Sequence, residues 1–165
     1  DTKIWLLGEQ KRLSLAYQKT AQVQVLADEI KVYFTQRSRR FIDTDAKLTA
    51  QVKKQLSQWY KQTLLVYLKD RIPELSHRCQ LEPKSYQVRQ YKARWGSCNS
   101  RGELSFNLQL MMLPYWVIDY VIIHELCHLT YLNHSPQFWR LVANYCPDYQ
   151  AAKLWLKQHQ TALVW

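Results

Sequence analysis

The sequence predicts an α+β fold, in which an antiparallel sheet packs against helices. Before residue 36, short runs alternate apolar and polar residues, as half-buried strands do. From Asp45 onward, apolar residues instead recur at three- and four-residue steps, which is the period of an amphipathic helix. Farther along, an almost wholly apolar helical segment is interrupted by His124, Glu125 and His128. Strands grouped in one part of the chain and helices in another are typical of this class.

The first part of the chain predicts three or four short antiparallel strands. Residues 4–7 and 13–17 flank the turn at Gly8, and the second run alternates apolar with polar residues, so the two runs predict a β-hairpin. The segments around Val23 and Val32 alternate in the same way. Residues 36–40 form a basic loop after the last of these strands.

A long amphipathic helix is predicted over about residues 45–72. Thr44 or Asp45 is the expected N-cap, because short oxygen-bearing side chains accept hydrogen bonds from the free N–H groups of the first turn. Pro73 is the expected end of this helix, since proline removes a backbone donor and clashes with the preceding turn. Residues 75–81 are expected to form a separate short helix.

Beyond Pro83 the pattern returns to strands and then to helices. Residues 86–90 and 103–107 alternate around a turn-rich tip at 93–102, so residues 86–107 predict one hairpin. Three further helices are expected. They begin at Pro114, after Ser135 and after Asp148, and the last includes Leu163 and Val164. No linker is visible, so residues 1–165 are expected to form one domain, with a strand-rich front (1–36), the long helix and a motif-bearing half (84–165).

The most informative motif is His124-Glu125-x-x-His128. On a helix, residues four apart lie on one face one turn apart, which suits two imidazole ligands of one zinc ion. Glu125 then lies beside the metal. His134 precedes Ser135-Pro136, a typical helix start, so a third imidazole is expected at a turn between helices.

The alternative interpretation is that these residues are hydrogen-bonded polar groups of a buried helix. The chain has five histidines, and three of them fall between residues 124 and 134. The residues around them are apolar on nearly every side of the helix. An ionised glutamate and two imidazoles are costly in such surroundings unless they bind a metal or are hydrogen-bonded. The sequence therefore favours the metal site.

Charge and cysteine content bear on the partners and the cellular compartment of the protein. The formal net charge is +10, and the segment 84–102 contains no acid. This basic segment makes nucleic acid or a nucleotide a candidate partner, although a solvated basic face is the commoner explanation. Its cations are Lys84, Arg89, Lys92, Arg94 and Arg101. The four cysteines are widely spaced, which predicts reduced thiols and a cytoplasmic protein, and no apolar run predicts a membrane span.

A series of motifs in the second half of the chain resembles a known family. In chain order they are Arg94-Trp95-Gly96-Ser97-Cys98, Phe106-Asn107, Pro114, Asp119-Tyr120-Val121, His124-Glu125-Leu126-Cys127-His128-Leu129, Asn133-His134-Ser135 and Phe138-Trp139. Together they resemble the YgjP-like predicted metal-dependent hydrolases, a zincin-type group similar to the SprT-like and WLM proteases. The resemblance is specific over residues 84–147. It implies a minimal zincin-like fold, zinc held by His124, His128 and His134, and Glu125 as the catalytic acid/base.

One position departs from the longer metzincin motif. Tyr131 stands where that motif has a glycine, and glycine permits a sharp turn. With tyrosine there, the helix is expected to run to Leu132 or Asn133 before the chain turns. Cys127, Cys98 and an unassigned acid therefore remain alternative third ligands.

The segment Arg94, Trp95, Gly96 and Ser97 is a candidate for substrate binding. It would line the cleft as an edge strand that aligns a peptide. The alternative is that Trp95 belongs to the core, that Gly96 serves the turn and that Arg94 is a surface residue. Ser97 has no histidine near it in sequence, which argues against a serine hydrolase. Arg94 and Tyr131 are the candidates for a second donor to the oxyanion.

The leading functional hypothesis is zinc-dependent hydrolysis of an amide bond in a peptide or protein, with Glu125 activating the attacking water. One alternative is a metal-dependent nucleoside triphosphate pyrophosphatase. That chemistry usually relies on magnesium, whereas three imidazoles suit zinc. A second alternative is a nucleic-acid-associated binding module built on the basic segment. It leaves Glu125 without a role.

Overall fold

The computed structural model describes residues 2–163 and has two small sheets and four α-helices. Short 3₁₀ helices cover Ser38–Arg40 and Leu108–Met112. The strands are β1 (Lys3–Leu6), β2 (Glu9–Gln18), β3 (Gln22–Val25), β4 (Glu29–Thr35), β5 (Ser85–Arg89), β6 (Gly96–Cys98) and β7 (Glu103–Asn107). The helices are α1 (Asp45–Cys79), α2 (Tyr115–Cys127), α3 (Pro136–Tyr145) and α4 (Tyr149–His159). The predicted α+β class is confirmed.

The first sheet has the strand order β1-β2-β4-β3 and is not purely antiparallel. The predicted β1–β2 hairpin is present, but β2 pairs with β4 in parallel. Burial explains this difference from the prediction. Ile30, Val32 and Phe34 of β4 are almost fully buried, whereas β3 is mostly exposed. The more apolar strand therefore takes the central position, and β3 lies at the edge.

Helix α1 continues through Pro73 to Cys79, so the predicted end at Pro73 and the separate helix over residues 75–81 are both wrong. An interior proline costs about 3 kcal/mol. Buried residues recur on one face both before and after it, and their burial offsets that cost. These residues are Leu64, Leu68, Ile72, Leu75 and Cys79. Thr44 is the N-cap, as predicted, and the helix ends where Gln80 adopts a left-handed φ of 53°.

The second sheet has the order β5-β7-β6, and it corrects the predicted hairpin over residues 86–107. Strands β5 and β7 are parallel, and the true hairpin is β6–β7. The segment predicted as the tip contains the three-residue strand β6, and the chain reverses direction between β6 and β7. The connection between β5 and β6 is held by Asn107, whose Nδ2 donates to the carbonyl oxygens of Tyr91 and Arg94.

Helix α2 lies in the core and is tied to α1 by a polar clamp. Arg71 donates from Nε and Nη2 to the two carboxylate oxygens of Asp119, at 3.0 and 2.8 Å. The Tyr67 hydroxyl donates to the same carboxylate at 2.5 Å. This bidentate geometry fixes the position of α2 along α1. The predicted starts of α2, α3 and α4 at Pro114, Ser135 and Asp148 agree with the structure. The prediction that the last helix includes Leu163 is wrong, because α4 ends at His159, and Val164 lies outside the described residues.

No helix within residues 2–163 combines the length and the apolar character that crossing a membrane requires. The four cysteines are free thiols in the structure.

Candidate metal centre and active site

The site begins at the end of α2, which is shorter than predicted. Helix α2 ends at Cys127 with His128 as its C-cap, not at Leu132 or Asn133. The chain then turns tightly, and the N–H groups of Thr130 and Tyr131 both donate to the carbonyl of Cys127. Within residues 2–163, the non-glycine residues with positive φ are Leu7 and Gln80. Tyr131 therefore makes this turn without the left-handed conformation that would favour glycine.

The turn brings three imidazoles together. The Nε2 atom of His124 lies 3.2 Å from Nε2 of His128 and 3.3 Å from Nε2 of His134. A ring nitrogen from each of the three residues lies within 4.8 Å of the others. Ser135 directly follows His134 and caps α3 by accepting a hydrogen bond from the N–H of Phe138. The start of α3 thus fixes where the third imidazole lies.

The two distances from His124 fit a tetrahedral metal ion. Zinc–nitrogen bonds of about 2.0–2.1 Å at tetrahedral angles separate two ligand nitrogens by about 3.3 Å. The separations from His124 Nε2, 3.2 and 3.3 Å, match that value. Within residues 2–163, the residues grouped closely enough to hold an ion are these three histidines, and Cys127 and Cys98 are not among them. Three neutral imidazoles suit a transition metal such as zinc better than magnesium or calcium.

The Nδ1 atoms of His128 and His124, which point away from the cluster, also contact polar groups. The Nδ1 atom of His128 lies 2.8 Å from the carbonyl oxygen of Tyr131, so Nδ1 carries the proton and donates it. That tautomer leaves the lone pair on Nε2, which faces the other histidines. The Nδ1 atom of His124 lies 3.2 Å from the Tyr120 hydroxyl. Phe138 stacks on the His128 ring with their centroids 4.3 Å apart.

Burial keeps His124 and His128 in the ligand form. Desolvation, together with the nearby His128, His134 and Lys153, lowers the pKa of His124 to about 3. Burial also lowers the pKa of His128. Neutral imidazole is the form that binds a metal, so the protein offers it without having to displace a proton at neutral pH.

Glu125 is buried beside the three histidines, with 5% of its surface exposed. Burial raises the pKa of its carboxyl group to about 8 in the metal-free protein, and the positive charge of Arg94 opposes that rise. A dication at the histidines would favour the ionised form. The Glu125 carboxyl group is therefore buried beside the imidazoles with a raised proton affinity.

A small cavity of about 220 Å³ joins Glu125 and His124 to the predicted substrate-binding segment. Arg94, Trp95 and Gly96 line it, whereas Ser97 lies farther along β6 with its hydroxyl 3.2 Å from that of Tyr91. A Cβ atom added at Gly96 would lie 3.0 Å from both Cγ and Oε2 of Glu125. A side chain at this position would push against the Glu125 carboxylate, so glycine suits the close approach of the β6 backbone.

Several of these contacts are not apparent from the sequence. Tyr120 lies four residues before His124, a helical spacing that could have suggested the contact. The approach of Gly96 to Glu125 required the strand β6, which the sequence pattern concealed. The Tyr131 carbonyl is a backbone group, so the residue type at that position carries no information about it.

A comparison with family models covers almost the whole chain. Residues 1–159 match the YgjP-like model, which is described as a metallopeptidase domain. The chain belongs to the YgjP-like family. The resemblance seen in the sequence is thereby confirmed. This YgjP-like chain is a metal-dependent hydrolase with peptidase-like function, and its three-histidine cluster is suited to a divalent metal.

A solved structure supports the fold of this YgjP-like chain. The crystal structure of the metallopeptidase zymogen of Pyrococcus abyssi abylysin aligns with a TM-score of 0.50 and 23% sequence identity. The alignment covers 58% of this chain and 94% of abylysin. No curated protein matches the chain.

Proposed function

We propose that this protein is a zinc-dependent peptidase. Zinc would be held by the Nε2 atoms of His124, His128 and His134, and Glu125 would serve as the catalytic acid/base. The observation that carries this proposal is the convergence of the three Nε2 atoms next to a buried glutamate. The match to a metallopeptidase family model supports peptide or protein substrates.

The mechanism assigns the proton transfers to Glu125. Zinc held by the three imidazoles would supply Lewis acidity, which would polarise the scissile carbonyl and lower the pKa of a water molecule toward about 7. Glu125 accepts the proton of that water as it attacks, and then delivers the proton to the departing amine. A buried carboxylate suits both steps, because desolvation raises its proton affinity, and the pKa of about 8 in the metal-free protein reflects this.

The segment from Arg94 to Ser97 is proposed to bind the substrate. Strand β6 lies at an edge of its sheet, where an extended peptide can pair with its free backbone groups. Arg94 carries a positive charge into the same cavity as Glu125, which makes it the favoured partner for the developing oxyanion. The exposed Tyr131 is the other candidate.

The nucleotide pyrophosphatase alternative is less well supported by the donor set. Magnesium prefers oxygen ligands and keeps much of its water, and the three clustered side chains offer nitrogen instead. Two cations of the basic segment proposed to bind nucleic acid also contact neighbouring side chains. Arg101 pairs with Glu103 at 2.9 Å, and Arg89 lies over the Tyr91 ring.

The close approach of Gly96 leads to a specific prediction. Gly96→Ala should displace the Glu125 carboxylate by a few tenths of an ångström, because the new Cβ would contact its Cγ and Oε2 at 3.0 Å. We expect turnover of a peptide substrate to fall about tenfold, since misplacement of a catalytic group by 1 Å costs about 100-fold. Zinc content, measured by mass spectrometry of the intact protein, should stay unchanged. Unchanged turnover would show that this contact does not position Glu125.

Removal and return of the metal tests the proposed function itself. Chelation should abolish cleavage of fluorescence-quenched peptides, and about one equivalent of zinc per chain should restore it, because the three-histidine site holds one ion. Magnesium at millimolar concentration should not restore it. Hydrolysis of nucleoside triphosphates in magnesium, with no cleavage of any peptide, would overturn the proposal in favour of the pyrophosphatase.

A further inference from the structure

A larger cavity of about 660 Å³ opens beside the small cavity at Glu125. The two share Arg94 and Trp95, so they meet at the side of the candidate active site where β6 begins. A volume of this size is within the usual range of ligand-binding pockets, about 300–1,000 Å³. The rest of its lining comes from the β5–β6 connection, from the start of the 3₁₀ helix after β7 and from the residues after α4.

The lining of this cavity is basic and carries no acidic side chain. Lys92 and Arg94 line it together with four amide side chains, those of Gln90, Asn107, Gln109 and Gln160. Within residues 2–163, the ion pairs at 4.0 Å or less include neither Lys92 nor Arg94. Both side chains are exposed, so their charges face solvent in the cavity. Arg94 also acts electrostatically on Glu125 in the adjoining cavity, whereas no acidic side chain of the described residues lines the cavity beside Lys92. A positively charged lining of this kind raises the local concentration of anionic groups.

The backbone that carries these cations is held in place. Asn107 is 3% exposed, and its side chain donates hydrogen bonds to the carbonyl oxygens of Tyr91 and Arg94. Its own N–H donates to the carbonyl of Trp95. Elsewhere in the lining, Nε2 of Gln109 donates to the carbonyl of Leu163 at 3.2 Å. A preformed pocket of this kind loses little conformational entropy when it binds a ligand.

We propose that this cavity is a subsite for a carboxylate of the peptide substrate, and that the enzyme prefers substrates with an acidic group beside the cleaved bond. Resting on the proposed peptidase function, the inference adds the class of substrate. Either an Asp or Glu side chain or a C-terminal carboxylate supplies the required group. Lys92 would pair with it, and Arg94 would add positive charge where the two cavities meet, while the exposed amide side chains of Gln90 and Gln160 bond to the peptide backbone.

A peptide is favoured over a nucleotide because of where the cations lie. Phosphoanhydride hydrolysis needs several positive groups around the reacting phosphates. Of Lys92 and Arg94, only Arg94 also lines the cavity that contains Glu125 and His124. Arg94 lies near the reacting centre and Lys92 lies farther from it. This spacing suits a substrate whose carboxylate is one or two residues from the cleaved amide bond.

The test measures binding separately from catalysis. Zinc-loaded Glu125→Gln protein is titrated with three fluorescent peptides: an amide-capped peptide containing Glu, the same peptide with Gln in its place, and the Gln peptide with a free C-terminal carboxylate. We expect one of the two carboxylate peptides to bind about fivefold more tightly than the capped Gln peptide, the upper range for a solvent-exposed ion pair. The carboxylate peptide that binds more tightly shows whether a side chain or the C-terminus supplies the carboxylate. High salt should remove the preference.

Two matched variants test whether the binding preference depends on the basic cavity. Lys92→Met should bring the preference to within about twofold, whereas Lys61→Met, at an exposed position on α1, should leave it at about fivefold. Equal binding of all three peptides overturns the subsite, and so does a nucleoside triphosphate that displaces them and is hydrolysed by the wild-type protein. A wild-type protein that cleaves no peptide contradicts the proposed function, yet the binding preference still decides whether the carboxylate subsite exists.

Discussion

His128→Ala protein is expected to be purified without zinc and to show no hydrolytic activity. His128 is buried, with 7% of its surface exposed, and its Nε2 atom lies 3.2 Å from Nε2 of His124. Removing one of three protein ligands should cost more than the 10- to 100-fold loss of affinity that follows removal of a ligand's hydrogen-bond partner. The measurement is metal content by mass spectrometry of the native protein, followed by peptide cleavage.

A histidine outside the cluster provides the control. His77 is exposed on α1, and His77→Ala should keep wild-type zinc content and activity. His134→Ala should also lose affinity, although its exposed side chain lets water replace it at lower cost. Full zinc occupancy in His128→Ala would contradict the assigned site. Unchanged affinity in His134→Ala would instead point to a different third ligand.

Glu125→Gln is expected to separate catalysis from metal binding. The substitution preserves the volume and hydrogen-bonding ability of the side chain but removes the group that accepts a proton. Turnover should fall by at least ~100-fold, the lower end of what a positioned acid/base contributes. Zinc content should remain at the wild-type level, because Glu125 is beside the three ligands and not one of them. The midpoint of thermal unfolding should stay the same or rise, since a buried ionisable group is removed.

The control for this variant is Glu82→Gln, at an exposed position between α1 and β5. It makes the same chemical change away from the histidines, so turnover should stay within about twofold of wild type, as small surface changes usually allow. Full activity in Glu125→Gln would mean that another group handles the proton, and the metal would then have to be structural.

The helices were the most predictable part of the fold, because their information is local. The alternation of buried and exposed residues along α1 and the caps at Thr44 and Ser135 involve residues only a few positions apart. Pro73 misled the prediction because packing on both sides of it outweighs a local cost. Such an outcome depends on contacts with other elements, and these cannot be read from neighbouring residues.

Strand direction could not be predicted in the same way. Alternation shows which face of a strand is buried, but it says nothing about which neighbour the strand pairs with. The parallel pairs β2–β4 and β5–β7 both arise because another strand intervenes in sequence, β3 in one case and β6 in the other. Strand β6 has only three residues, too few to show a period.

In the candidate site, too, local features could be predicted from the sequence and tertiary contacts could not. His124, Glu125 and His128 were identified because a helix fixes their spacing, and His134 because Ser135 and Pro136 indicate a helix start. The approach of Gly96 to Glu125 and the hydrogen bond from His128 to the Tyr131 carbonyl depend on tertiary contacts. The basic cavity likewise forms only because the residues after α4 close one of its sides.

The central claim is that one zinc ion is bound by three imidazoles. The most direct measurement is the X-ray absorption spectrum at the zinc edge of protein loaded with one equivalent of zinc. We predict three nitrogen neighbours with the scattering pattern of imidazole at about 2.0–2.1 Å, together with one further light atom. A sulfur neighbour at about 2.3 Å would contradict this assignment and would indicate Cys127 or Cys98 as a ligand.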